Sequence, residues 1–207
     1  VKQKSWLERA CQLDPEMRVA SLMLEAEMQI DSQHYAEAIA VLKNIKAESG
    51  RHIAALRLEL RAQQGCGNWD EVLRLARLLE KRKALPANAL REIKDKAHRE
   101  NIRLRGVELA SLYEYQRKMP ERERDQELAL AYADALIALN ANEAARDFIE
   151  DQLNAAWDSR LLTRYALARG GELLPRIARA EFWLPQHRDD AGLLLALGRL
   201  CLEQHLW

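Results

Sequence analysis

The chain has 207 residues, long enough for one large domain or two small ones with a buried apolar core. Hydrophobic residues make up 48% and charged residues 31%, against 8 Gly, 5 Pro and 2 Phe, which describes a folded protein poor in turn formers and rich in helix formers. Lys plus Arg and Asp plus Glu both count 32, so no global field draws the molecule to nucleic acid or to an anionic membrane.

Cys11, Cys66 and Cys201 are far apart and lack the C-x-x-C spacing of a zinc or redox pair, which points to a reducing compartment. No stretch reaches the roughly 18 apolar residues of a membrane span, since Arg199 interrupts the best run, Gly192 to Leu202. The chain opens on Val1 without an initiator Met and stops at Trp207 inside an apolar pattern. Both ends are therefore expected to be cut, with any targeting or membrane segment outside this sequence.

Along the chain, apolar residues recur at helical spacing and strand-like alternation is absent. Trp6 to Leu13, followed by Asp14-Pro15, reads as the second helix of an earlier repeat, so residues 1–15 end a preceding unit. Residues 16–50 form the first full unit: Val19, Leu22, Met23, Ala26 and Ile30 mark one helix, and Tyr35, Ala38, Ile39 and Leu42 mark the next, up to Ser49-Gly50. Residues 51–86 repeat this pattern. Tyr35-Ala36-Glu37 returns as Trp69-Asp70-Glu71, and at the same offset Leu22, Leu24, Glu25 and Gln29 match Leu56, Leu58, Glu59 and Gln63. The shared aromatic position of Tyr35 and Trp69 reads as interhelix packing. The breakers Gly65-Cys66-Gly67-Asn68 and Leu85-Pro86 fall at the turn and at the end of that unit.

Residues 87–120 continue to Met119-Pro120, with Gly106 expected in the small-residue row of Ala38 and Val72, and Ala110 in the row of Leu42 and Ala76. Arg103 stands there at the position of Tyr35 and Trp69. Glu121 to Asp125 read as an insertion ahead of residues 126–157, in which Ala145 is the next match to Gly106. A shorter unit, 158–188, contains Gly170-Gly171 and Leu184-Pro185. Residues 189–207 read as the first helix of a truncated repeat, with Gly198 and Trp207 matching Ala26 and Tyr35 at one common offset. That helix is expected to expose an apolar face and to self-associate through it.

A period of about 34 residues resembles the tetratricopeptide repeat. The resemblance implies an all-α fold, a single TPR-like helix-turn-helix solenoid over residues 1–207 built as a right-handed superhelix of antiparallel helix pairs, whose first helices line a concave groove. Function is then expected in recognition of other proteins rather than catalysis. Met23, Glu27, Arg57 and Arg61, read as free of helix packing, are the candidate groove contacts, the two arginines suited to carboxylates.

The segment Glu181-Phe182-Trp183-Leu184-Pro185-Gln186-His187, with Asp189-Asp190, Leu193 to Leu200 and the closing Leu206-Trp207, is similar to the proteobacterial HemY-type tetratricopeptide-repeat proteins of the inner membrane. Tyr132-Ala133, Leu136 and Asn142-Glu143-Ala144-Ala145 fit the same family, whereas Arg188 stands where a proline is common. The resemblance implies two membrane helices ahead of Val1, a place beside haem-biosynthesis enzymes, and no catalytic residue. The low cysteine content favours the cytoplasmic side.

Chemistry is sparse. The histidines, His34, His52, His98, His187 and His205, are isolated and flanked by polar residues, so solvated surface positions are expected. No H-E-x-x-H, Walker loop or G-x-S-x-G is present, and neither a cofactor nor a metal is expected. The alternative reading is a haem- or porphyrin-binding carrier using Cys201 or His34 as iron ligand. Between residues 81 and 105, Lys81, Arg82, Lys83, Arg91, Lys94, Lys96, Arg99, Arg103 and Arg105 face three acids, Glu92, Asp95 and Glu100. Without interleaved aromatics this basic patch points to an acidic protein surface, to anionic lipid or to a long solvated helix face, not to nucleic acid.

Overall fold

The computed structural model describes residues 15–49 and 52–204, and among these every regular element is helical. The segment from Trp6 to Leu13, Cys11, His205, Leu206 and Trp207 lie outside the described residues. The helices are α1 (Pro15–Asp31), α2 (Tyr35–Ser49), α3 (Ile53–Cys66), α4 (Trp69–Lys81), α5 (Ala87–Arg105), α6 (Leu109–Lys118), α7 (Gln126–Ala138), α8 (Asn142–Ala155), α9 (Ser159–Leu167), α10 (Leu173–Trp183) and α11 (Ala191–Glu203), with a short 3-10 turn at Glu121–Glu123. Contacts divide the chain into two units, Val1–His98 and Arg99–Trp207.

The turns explain why helices end where they do. After α1 the N–H of His34 donates to Gln29 O at 2.8 Å and that of Gln33 to Ile30 O at 3.0 Å, with Gln33 at φ 62°. The same two bonds recur after α3, from Asn68 to Gln63 O (3.0 Å) and from Gly67 to Gln64 O (3.2 Å), with Gly67 at φ 71°. They recur again after α7, with Asn140 at φ 56°. These are Schellman closures, in which one left-handed residue satisfies the last orphan carbonyls of a helix. The matched pair Gln29 and Gln63 thus supplies the same carbonyl to the same turn in successive repeats.

Most packing in each unit joins a helix to its successor or to the next helix but one. In the first unit α1 packs on α2, α2 on α3, α3 on α4, and α1 also on α3; in the second α7 packs on α8, α8 on α9, α10 on α11, and α9 on both α7 and α11. Two glycines permit close approach. A Cβ at Gly65 of α3 would stand 2.5 Å from the Tyr35 ring, so that ring lies flat on bare backbone, the interhelix packing expected of this aromatic position. A Cβ at Gly192 would stand 2.8 Å from Ser159 O, where α11 meets α9.

The fourth residue of each second helix is buried: Ala38, Val72, Leu112 and Ala145 are each 0% exposed, and Arg176 is 4% exposed. Here the structure corrects the register read from the sequence. Because α5 runs for 19 residues, α6 starts later than the interval between α2 and α4 would place it. Arg103 therefore lies in the last turn of α5, Gly106 lies in the turn, and Ala110 is exposed; Leu112 takes the buried position instead. Gly198 likewise fails to match Ala26, since it is exposed with open space around it. The core face of α1, Val19, Leu22 and Ala26, returns in α11 as Leu193, Ala196 and Leu200, slightly out of step with the expected offset.

The Trp183 to Asp190 segment is a packing device. Asp190 caps α11 by accepting from Leu193 N at 3.0 Å, and its other oxygen accepts from Trp157 Nε1 at 2.8 Å and from the Ser159 hydroxyl. The His187 ring stacks on Trp157 with centroids 3.5 Å apart, and Trp183 meets Trp157 edge-on at 5.8 Å. Burial works against the Asp190 charge, but the bonds from Ser159, Trp157 and the N–H groups of Leu193 and Gly192 outweigh it and hold the carboxyl below the usual carboxylate range. The hydrogen bond from Arg160 does the same for Asp158.

Ala38→Trp overpacks a fully enclosed site and is expected to cost about 1–3 kcal/mol or more, read as a lowered melting temperature. A native melting temperature would remove Ala38 from the packed row. Asp190 and Asp158 titrate lower in the folded chain than in the unfolded one, so their stabilisation is present above a pH of about 4 and is lost as pH falls through the folded values. Asp190→Ala is expected to cost about 0.5–2 kcal/mol at neutral pH. Its acid-induced loss of stability should be shallower than that of the parent in melts across the acid range.

Candidate functional site

In the first unit the candidate contacts separate into packing and surface residues. Met23, one turn from both Val19 and Ala26, is half-buried against their cluster, which corrects the reading that packing does not need it. Glu27 is exposed on α1. Arg57 and Arg61, one turn apart on α3, are both exposed, and both already hold their own helix to neighbours. Arg57 Nη2 donates to the carbonyl of Ala84 beyond α4, and Arg61 Nη2 lies 3.4 Å from Asp31 Oδ1 at the end of α1. The first is a cap on a turn; the second is an exposed ion pair of little energetic weight. Met17, Leu24 and Met28, 50–63% exposed, share the face of α1 opposite its core rows. That stripe is legible once the helix phase is known.

The basic stretch is less free than its sequence implies. Lys94 is 12% exposed and bonds Glu80 at 2.9 Å, while Lys96 sits 5.7 Å from the Trp69 ring centroid. Arg91 lies 3.8 Å from Asp95. On the second unit's part of α5, Arg103 bonds Glu100 at 2.9 Å, and Arg105 bonds Asn101 Oδ1 at 2.6 Å and stacks over Tyr115. Lys81, Lys83 and Arg99 are exposed, and Arg82 is half-buried. Much of the formal positive charge is therefore neutralised or spent on aromatic packing.

In the second unit α9 is bound to α7 by charge. Arg164 makes two parallel bonds to Asp134, both 3.0 Å, and Arg160 bridges Asp158 and Glu127. The pairs that join the two helices are distant in sequence and carry no local signal. On α11, Leu194, Leu195 and Leu202 are 50–59% exposed, on the side opposite Leu193, Ala196 and Leu200, so the expected apolar face is present. Among the histidines, His34 and His52 are exposed, but His98 is 1% exposed and His187 is half-buried on Trp157. This corrects their surface assignment, because His98 follows Ala97 on the buried side of α5 and His187 closes the Trp157 junction. Cys201 is half-buried against the core cluster of α7 to α11, where a free thiol packs as a small hydrophobe.

Each unit contains a cavity. That of the first, about 660 Å³, has an apolar floor of Leu42, Leu56 and Leu78 beneath Arg74, Arg77 and Lys81, which follow one another along α4. That of the second, about 570 Å³, lies between α8 and the α9–α10 turn and includes Arg146, Tyr165 and Arg176. Arg146 Nη1 donates to the carbonyls of Ala168 (3.1 Å), Arg169 (3.4 Å) and Gly170 (2.9 Å). Arg176 Nη2 donates to Tyr165 O (2.7 Å) and Ala166 O (3.3 Å). Both guanidiniums thus sit at the C-terminal end of α9, where the helix dipole favours cations. Burial lowers the basicity of Arg176 and the neighbouring Arg146 lowers it further, with Glu203 opposing. Tyr165 is raised, first by burial and then by its bond to Glu150.

Among the described residues no cluster of His, Cys, Asp or Glu could hold a metal ion, and no helix is long and apolar enough to cross a membrane. Comparison with protein-family models and with curated proteins finds no match for this chain.

The Asp134–Arg164 pair gives a test of the charged seam. Arg164→Asp is expected to lower stability by about 1 kcal/mol, and adding Asp134→Arg should restore most of it, read as a coupling energy in urea melts. Additive losses would mean the pair contributes nothing.

Proposed function

We propose that this chain is a tetratricopeptide-like solenoid that holds other proteins on the exposed faces of its first helices. The observation that carries the reading is the recurrence, at one repeat interval, of one turn with one hydrogen-bond pattern, at Gln29 to Tyr35 and at Gln63 to Trp69. Packing of α7, α9 and α11 side by side supports it, because repeated helix pairs offer an extended surface rather than a single deep active site. Glu27, Arg57 and Arg61 of the first unit, with the apolar Leu24 and Met28 beside them on α1, form a mixed charged and apolar surface suited to a peptide or helix bearing carboxylates. The resemblance of the Trp183 to Asp190 segment extends the reading to a HemY-type protein. Membrane spans outside this sequence would then hold the repeats on the cytoplasmic side of a bacterial inner membrane, beside haem-biosynthesis enzymes.

The test reverses charge without touching the core. Arg57→Glu with Arg61→Glu is expected to leave the circular dichroism spectrum intact and to reduce capture of inner-membrane haem-biosynthesis enzymes by the purified chain. Unchanged capture by a folded double variant would remove this surface from the site. A Soret band on haem titration, lost in a His34 or Cys201 variant, would replace the scaffold with a carrier.

A further inference from the structure

Arg176 occupies a position that every other helix pair gives to an apolar residue, Ala38, Val72, Leu112 or Ala145. A guanidinium buried to 4% exposure is costly unless all its donors are satisfied and its charge is balanced. The protein supplies two carbonyls to Nη2, while among the described residues Nε and Nη1 find no acceptor. Glu150, the inner carboxylate of the cavity, is already engaged: it accepts from the Tyr165 hydroxyl at 2.8 Å and lies 2.9 Å from Arg179 Nε. Arg146 lines the same cavity and among the described residues bonds only carbonyls, which adds like charge without a paired carboxylate. The outer lining is net acidic, with exposed Arg169 as its one cation. Glu143 and Asp147, one turn apart on α8, and Glu172 at the head of α10 are exposed carboxylates with no ion pair among the described residues.

With Arg146, Arg176 and the engaged Glu150 inside, and Glu143, Asp147 and Glu172 outnumbering Arg169 at its mouth, the cavity of about 570 Å³ is dipolar, and it is roomy enough for a group of a few residues. We propose that this cavity binds a carboxylate that carries a cationic group beside it, with the carboxylate directed to Arg176 and Arg146 and the cation to Glu143, Asp147 and Glu172. A simple anion would meet the acidic mouth, and a simple cation would meet the buried arginines, so neither alone satisfies both layers. The ligand is a peptide segment with an acidic residue next to a lysine or arginine, or a free amino-carboxylate of the same charge pattern. The site is gathered from α8, α9, α10 and the turns between them and uses none of Glu27, Arg57 and Arg61, so it stands or falls separately from the scaffold reading.

The test follows the Arg176 Nε–Hε resonance in nitrogen–proton spectra of the whole chain during titration with blocked Glu-Lys dipeptide, blocked Gln-Lys dipeptide and free lysine. A saturable displacement by Glu-Lys, roughly tenfold weaker with Gln-Lys, is expected if a peptide is the ligand. Displacement by free lysine with none by Glu-Lys supports the site with a free amino-carboxylate as its source. Glu143→Gln with Asp147→Asn, both exposed, should fold normally and weaken binding by roughly two- to fivefold. Arg176→Met removes that reporter, so its binding is read from the Arg146 Nε–Hε resonance, whose displacement should be lost, and if that variant does not fold the rim variant decides. Absence of any displacement, equal displacement by Glu-Lys and Gln-Lys, or a rim variant that binds as well as the parent would overturn the proposal.

Discussion

Burial of the fourth residue of each second helix governs how these helix pairs are assembled. With Ala38, Val72, Leu112 and Ala145 each fully enclosed, the head of every second helix is pressed into the neighbouring helices. The turn that precedes it must then be short and must reverse the chain. Schellman closures make that reversal after α1, α3 and α7, with a left-handed backbone accepted at Gln33 and Asn140 where no glycine is present, and the same closure ends α4 at Lys83.

Once the pairs are fixed, their first helices are left with one face inward and one outward. The outward faces differ between the units. In the first, exposed Met17, Leu24 and Met28 lie on the same helix as Glu27, next to α3 with Arg57 and Arg61. In the second, Glu127, Asp134, Arg160 and Arg164 neutralise one another along the α7–α9 seam, and leucines dominate α11. The charged seam fixes relative placement more than it adds stability, since exposed pairs are individually weak. The apolar residues beside it are the part of the surface able to contribute binding energy.

Departures from the repeat fall where polar groups have been brought inside. Asp190 is held as a carboxylate by hydrogen bonds from Trp157, Ser159 and the head of its own helix, and the Trp157, Trp183 and His187 rings pack around that junction. Arg176 takes the fourth position of α10 and reaches the carbonyl end of α9. Both groups bond to the backbone ends of helices, so directional bonds add to volume in stabilising this part of the chain.

Helical spacing of apolar residues and Gly or Pro punctuation are local signals, so the helical class, most of the breaks and the recurrence between the first two units were legible in the residues themselves. The same signals marked Ala38 and Val72 as a buried row and α11 as a helix with an exposed apolar side. Packing settled the rest. The extra length of α5 shifted the third unit, so Gly106 and Ala110 lost their assigned places to Leu112, and the phase of α11 replaced Gly198 with Leu200. Met23, His98 and His187 were drawn inward, and the basic run was partly consumed by Glu80, Trp69 and Tyr115. The Arg176 cavity had no signature in the sequence, since its lining is gathered from α8, α9, α10 and the turns between them. Residue type predicts which side of a helix is buried, but the partner of a buried charge is set by chain segments that meet only after packing.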